Sequence, residues 1–261
     1  MNRHVAILGE YARIGIFRKA QLRVEFVSQI VMDCFWYATK IGVFEALFQY
    51  TKRIAGWSAP DIRVLLGVVF VADAFMMMWL RQRWRFGREL KDGKLDPLRI
   101  RPASSVVVYF FQQFSLEAAF NMAVAYGYLF FGLARHGLLS EPRAWLLLPW
   151  AVALAWWSMV VVAVFFALPE FFLTNSDAGN VLQQVFDTAS VNPLDVFSSR
   201  IRNLLLYFVP VGLVNYVPAS ILLGRYSPLE SLGFTIFMFA FGLLTFRAWR
   251  WSFRRYESAM G

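Results

Sequence analysis

Cysteine is almost missing from this 261-residue chain: Cys34 stands alone, so no intrachain disulfide forms and the redox compartment leaves no mark. Histidine is nearly as scarce. His4 and His136 are the only two, which excludes a metal centre built on histidine and cysteine; one made of carboxylates alone stays open, and no metal is assigned. Charged residues make up 16% of the chain, against about a quarter in soluble domains. There is no G-x-x-x-x-G-K-[ST] loop, no G-x-S-x-G elbow and no H-E-x-x-H pair. If the chain works with ATP, another subunit must hydrolyse it. Alternation at period two is not sustained anywhere, which argues against a transmembrane barrel. Residues 1–23 hold no early apolar run, so the first apolar segment is expected to act as an uncleaved anchor.

What is present is apolar. Hydrophobic residues reach 59%, with 27 phenylalanines and 10 tryptophans, a composition suited to a bilayer as solvent. Six segments are long enough to cross it: Val24–Phe48, Ile62–Leu80, Ser104–Leu133, Ala144–Leu168, Asn203–Gly224 and Leu229–Trp249. The first is weakened by Asp33, Lys40 and Glu45, the fifth by Pro210 and Pro218. The expected fold is therefore all-α, a single polytopic membrane domain over 1–261 with cytosolic loops at 81–103 and 169–202. Leu8, Tyr11, Ala12, Gly15 and Ile16 repeat at helical spacing with Arg13 and Arg18 off the stripe. They read as an interfacial amphipathic helix, or else as an extension of the first span.

The net charge of +9 would suggest nucleic acid in a soluble protein. Here it reads as sidedness, with the bilayer and not nucleic acid as the partner. With the N-terminus inside, 19 of the 26 lysines and arginines fall on the cytoplasmic side, six fall outside, and Lys40 lies within a span. This places both termini in the cytoplasm.

Ionisable side chains inside a membrane are costly, so each one is informative. Asp33 and Lys40 lie seven residues apart, near one helix face, and Asp73 falls within the second span. Lys40 either neutralises one of these carboxylates or shares a substrate path with them. Tyr109, Gln113, Glu117 and Asn121 recur every four residues, a polar stripe on the third span with Glu117 near mid-membrane. Such a stripe lines a translocation path or bonds to neighbouring helices. Among aromatics it would suit a cationic amphiphile, and packing equally. In the fifth span, Pro210, Gly212 and Pro218 flank Asn215 and form either a hinge or a static kink.

Between the second and third spans lies "GRELKDGKLDPLRIRP", Gly87 to Pro102. Charge alone makes it a solvated inside loop. Its order says more. Gly93 permits a turn, Asp96-Pro97 can open a short helix, Leu95 and Leu98 give that helix an apolar edge, and Arg101-Pro102 close it. This G-x-L-D-x-L-x-x-R-P pattern resembles the membrane permease subunits of ABC transporters in the type-2, exporter-like branch, and among them a compact six-span family. The proline-marked stretch Asn192–Gly224 and the basic, aromatic tail Trp249–Gly261 are similar to that family as well.

The resemblance implies a non-catalytic permease in a prokaryotic inner membrane. It would pair with a second permease, identical or related, and with two cytosolic ATPases that carry the ATP and Mg²⁺. Gly93, Leu95, Asp96, Leu98, Arg101 and Pro102 would dock the ATPase as a coupling helix. The segment 187–202 would add a second contact. Asp33, Asp73, Tyr109, Gln113, Glu117, Asn121 and Asn215 would line the path, with Pro210, Gly212 and Pro218 as the hinge. Two other readings give Asp33, Asp73 and Glu117 to a lipid-modifying enzyme or to an ion-coupled carrier.

Overall fold

The computed structural model describes residues 8–14, 23–99, 104–173 and 178–256. All regular structure among them is helical apart from one isolated bridge, Ile54 to Trp57. A short helix, α1, covers 8–14; Gly15 and Ile16 of the expected amphipathic stripe lie outside the described residues. The long helices are α2 (Arg23–Tyr50), α3 (Ala59–Trp79), α7 (Leu116–His136), α8 (Pro142–Ala167) and α12 (Pro228–Arg255). Between them come the short helices α4 (Phe86–Lys91), α5 (Asp96–Arg99) and α6 (Ser105–Phe110), then α9 (Ala178–Ser190), α10 (Ser199–Asn203) and α11 (Tyr216–Leu222). Four helical stretches are long and apolar enough to cross a membrane: α3, α7, Pro142–Phe171 and α12. The protein is a multi-pass membrane protein. The helix α2 has the length but carries too much charge to qualify on composition.

The helix α3 is the axis of the bundle. Its apolar residues are buried all round, the mark of a helix surrounded by protein. It meets α7 backbone to backbone: a Cβ on Gly67 would come within 2.6 Å of Leu129 Cα, and one on Gly132 within 2.9 Å of the Arg63 carbonyl. Small residues at a crossing permit this approach where no water drives association. In contrast, α12 leaves Ile236, Phe239, Leu243 and Leu244 exposed along one face, as lipid would require.

Two sets of contacts fix the ends of the bundle. At one end Arg225 stacks on Trp57 at 4.0 Å and pairs with Asp61 at 2.9 Å, and His136 reaches Asp61 at 3.0 Å. At the other end Trp249 packs against Phe86, Phe110 and Phe171, while Tyr256 donates to the Leu90 carbonyl. Trp249 lies 22 residues beyond Ser227, so the two ends are about 33 Å apart along α12.

These anchors correct two expectations. The third span is not one helix over Ser104–Leu133. It breaks at 111–115, where α6 ends and α7 begins, and Ser115 N donates to the Met78 carbonyl across the gap. Nor does Asn203–Gly224 run from one end to the other. Arg202 pairs with Asp195, which accepts from Trp57 and Tyr216, so the start of this segment lies at the Trp57 end. Gly224 sits beside Arg143, and Arg225 beside Asp61, so its finish lies there too. In between, Ser199–Phe208 and Val211–Leu222 are bent by 73°. Two half-length helices meeting at a bend and returning to the same end form a re-entrant hairpin. On the traverse from Trp249 to Trp57 lie instead α9 and residues 191–195. The expected cytosolic loop 169–202 thus ends at the opposite side from where it starts. The sequence missed α9 because it has only 13 residues and is amphipathic rather than uniformly apolar.

Candidate coupling loop and central cavity

The loop after α3 is folded tightly onto the bundle. Residues Arg81–Arg85 form a tight 3-10 turn, α4 follows, and Gly93 adopts φ +69°, a left-handed turn that glycine reaches without strain. The helix α5 then starts at Asp96, as the Asp-Pro pair suggests. Its expected apolar docking edge is corrected. Leu95 is 1% exposed and Leu98 9%, and both belong to the chain's own core. The reason is the aromatic floor beneath the loop, where Phe86 meets Tyr109, Phe110, Phe171 and Trp249 and draws the loop's apolar side inward. The outward face is Lys91, Asp92, Lys94 and Pro97. Arg101 and Pro102 lie outside the described residues.

Polar ties lock this seat. Glu89 accepts two bonds from Gln82 Nε2, at 2.8 and 2.7 Å, and one from Tyr109 Oη at 2.9 Å. Arg81 pairs with Glu117 at 3.0 Å. Gly87 fits against Glu170 so closely that a Cβ would come within 2.7 Å of a carboxylate oxygen. The loop is therefore a lever joined to α6, α7 and α12 rather than a flexible connection.

The polar stripe of the third span is dispersed by the break. Tyr109 belongs to α6 and serves the loop, and Gln113 is exposed in the gap. Glu117 is not at mid-membrane. It sits in the first turn of α7, where the helix N-terminus favours a carboxylate, and is 1% exposed against Arg81. Asn121, one turn further, is buried and donates to Asp33, which also accepts from Gln29 at 2.9 Å. Lys40 forms no ion pair with Asp33 or Asp73; its ammonium lies 5.3 Å over the Trp36 ring.

The hinge residues divide in the same way. Pro210 stands at the bend between the two half-helices. A Cβ on Gly212 would meet Leu194 Cδ1 at 2.5 Å, so this glycine is needed for close packing. Pro218 causes no break: it occupies the first turn of α11, where an amide has no intrahelical acceptor in any case. A π-helical turn, Leu204–Phe208, precedes the bend, a feature common at functional sites that composition does not reveal.

A cavity of about 630 Å³ lies beside α3, and Asp33, Lys40, Asp73, Asp187 and Asn215 are among its lining residues. Asp73 is 14 residues into α3, about 21 Å from the Trp57 end, so the cavity occupies the half nearer Trp249. The exposed Trp84 and Asp187 stand at its mouth; Ser190 and Val191 at the end of α9, and Asn215 just ahead of α11, line it as well. Behind the wall, Arg83 rests on Trp84 and Phe186, 5.1 and 5.5 Å from the rings. Its burial pulls the guanidinium down to about 10, which still leaves it charged at neutral pH. Among the described residues no group of three His, Cys, Asp or Glu side chains gathers to hold a metal.

A model of the family described as ABC-2 family transporter protein matches residues 34–260. The chain belongs to that family. No curated protein and no solved structure matches it. The family is one of membrane transport permeases, and the match takes in the locked loop, the re-entrant hairpin and the cavity lining of this ABC-2 chain apart from Gln29, Met32 and Asp33.

Proposed function

We propose that this chain is the non-catalytic permease of an ATP-driven exporter, docked through its 81–99 loop to a separate cytosolic ATPase that binds ATP and Mg²⁺. The observation that carries the reading is the construction of that loop. Its apolar side is seated in the bundle and its charged side is turned away from it, so a push from outside is passed directly to the spanning helices. Family membership supports the same reading. The docking surface is then Lys91, Asp92, Lys94 and Pro97, with Leu95 and Leu98 as the foundation beneath. Two ATPases and a second permease complete the proposed assembly, in a prokaryotic inner membrane.

The loop end, which also carries Trp249, is the cytoplasmic side. With Arg200 and Arg202 moved to the Trp57 side, the Lys/Arg distribution becomes 17 inside and eight outside, still strongly biased. Six crossings follow, with both termini inside, and α9 belongs to the fifth. The enzyme and ion-carrier readings lose support because Glu117 is held by Arg81 and is not among the residues lining the cavity that Asp33 and Asp73 share. Asp33 in turn is tied to Asn121, which leaves Asp73 as the cavity's carboxylate on α3.

The test is co-expression of the full chain with its ATP-binding-cassette subunit, followed by affinity isolation and vanadate-sensitive ATP hydrolysis. The wild-type chain is expected to retain the ATPase. The double variant Lys91→Glu, Lys94→Glu should lose it while keeping its elution profile in detergent. Retention of full coupling by that variant, or transport driven by a proton gradient with no ATPase present, would defeat the reading.

A further inference from the structure

We infer that the cavity beside α3 binds an organic cation with N–H groups on an apolar, ring-bearing body. The inference rests on the transport reading for its purpose but not for its chemistry, which comes from what the wall offers. Asp73 carries no hydrogen bond or ion pair among the described residues; it is half-buried and lines the cavity. Arg83 acts on it only at a distance, because its guanidinium is held against Trp84 and Phe186. Asn215 is 3% exposed, and its amide nitrogen donates to the Ser190 carbonyl at 3.2 Å. That bond fixes the orientation of the amide, since a carbonyl cannot receive the side-chain oxygen. The Asn215 Oδ1 that remains is buried with no donor. A buried acceptor without a partner costs free energy, and so does a half-buried carboxylate without a counter-charge.

Both vacant positions are acceptors, so a ligand that relieves them must bring donors. Lys40, a donor on the same wall, is already over Trp36. Most of the rest of the lining is apolar: Trp36, Tyr37 and Phe186 contribute aromatic rings and Met76, Met77 and Met159 adaptable thioethers. Ring faces attract cations, and flexible methionines accept bodies of varied shape. An anion would meet Asp33, Asp73 and Asp187 together and is disfavoured by the same wall. The volume of about 630 Å³ suits a molecule of several fused or linked rings.

The probe is rhodamine 6G, a fluorescent ring cation with N–H groups, titrated onto the purified full chain in detergent and followed by anisotropy. Saturable binding is expected, with fluorescein, its anionic counterpart, failing to compete. Asp73→Asn should weaken binding about thirtyfold or more, the loss typical of a buried charge partner. Asn215→Leu should weaken it about tenfold, the loss of one buried hydrogen bond. Val69→Trp leaves every charge in place and fills the cavity, and it should abolish binding if the site is this one. Equal binding by wild type, Asp73→Asn and Val69→Trp, or displacement by fluorescein, overturns the inference. If Asp73→Asn fails to elute as a folded species, Val69→Trp and Asn215→Leu still decide it. Absence of cation binding in a chain that still retains its ATPase would remove this inference and leave the proposed function standing. Cation binding without ATPase association would do the reverse.

Discussion

Replacing Asp195 with alanine tests the re-entrant hairpin at its anchor. The carboxylate accepts from Trp57 Nε1 at 2.8 Å and Tyr216 Oη at 2.8 Å, and pairs with an Arg202 nitrogen at 2.9 Å. The three partners come from the loop before α3 and from both halves of the hairpin. A hydrogen bond to a charged group contributes about 1.5–3 kcal/mol, whereas a partly exposed ion pair adds about 0–1 kcal/mol. The contributions share one acceptor and do not add fully, so about 3 kcal/mol is the expected loss. Much of it comes from Trp57, which is 0% exposed and whose indole N–H would be left buried without an acceptor. For a protein of this size that corresponds to a fall of roughly 6–12 °C in melting temperature. Tryptophan-fluorescence melting of the purified chain in detergent measures it, and limited proteolysis over 196–203 locates it. Asp195→Asn retains an acceptor and should lose less than half as much. A shift below about 2 °C for Asp195→Ala would show that the hairpin is not held there, and the re-entrant assignment would lose its main support.

Three other outcomes follow from the same geometry. Leu95→Asp should prevent stable folding of the loop, because a 1%-exposed position would then hold an unpaired charge, and trypsin should cut near Lys91 faster than in wild type. Gly67→Ala should cost roughly 1–3 kcal/mol or more in the same melting assay, since the new methyl meets Leu129 Cα, which cannot move without parting α3 from α7. In a Cys34→Ala background, a membrane-impermeant maleimide should label Ser198→Cys and Lys52→Cys from one side and Lys94→Cys from the other. Labelling of Ser198→Cys and Lys94→Cys from the same side would return 169–202 to the cytoplasm.

Four of the six expected spans coincide with long helices, because runs of 20 apolar residues leave few alternatives. The errors fall where composition is silent. Asn203–Gly224 is apolar enough to span, yet apolar length says nothing about whether a segment turns back; Pro210 marked the bend without giving its 73°. The helix α9 was hidden for the opposite reason: its Asp187, Gln184 and Thr188 face the cavity side or solvent, and a 13-residue amphipathic helix has no spanning signature. At the loop, Gly93 and Asp96-Pro97 announced their turn and helix by local rules, and both formed. The direction of Leu95 and Leu98 could not be read locally, because it depends on Phe171 and Trp249, more than 70 residues away. Of the expected path residues, Asp33, Asp73 and Asn215 meet at one cavity. Trp84 and Phe186 were missed; a tryptophan inside a run of arginines was the only available signal for the first.

The dispersed stripe on the third span also ties the loop to the cavity wall. Arg81 begins the loop and holds Glu117 in the first turn of α7; Asn121 follows one turn later and holds Asp33 on the cavity wall. The loop and the cavity are thus separated by about 6 Å of a single helix. A displacement of the loop by the proposed ATPase would need no long relay to reach Asp33, since α7 carries both contacts. The contacts also differ in kind. Arg81 is one-third exposed and can shift with the loop, while Glu117 and Asn121 are fully buried. Because spatial continuity alone does not establish energetic coupling, the decisive quantity is the interaction energy between Arg81→Ala and Asn121→Ala. Their side chains do not touch, so additive effects on cation binding would mean that α7 does not transmit, and non-additive effects that it does.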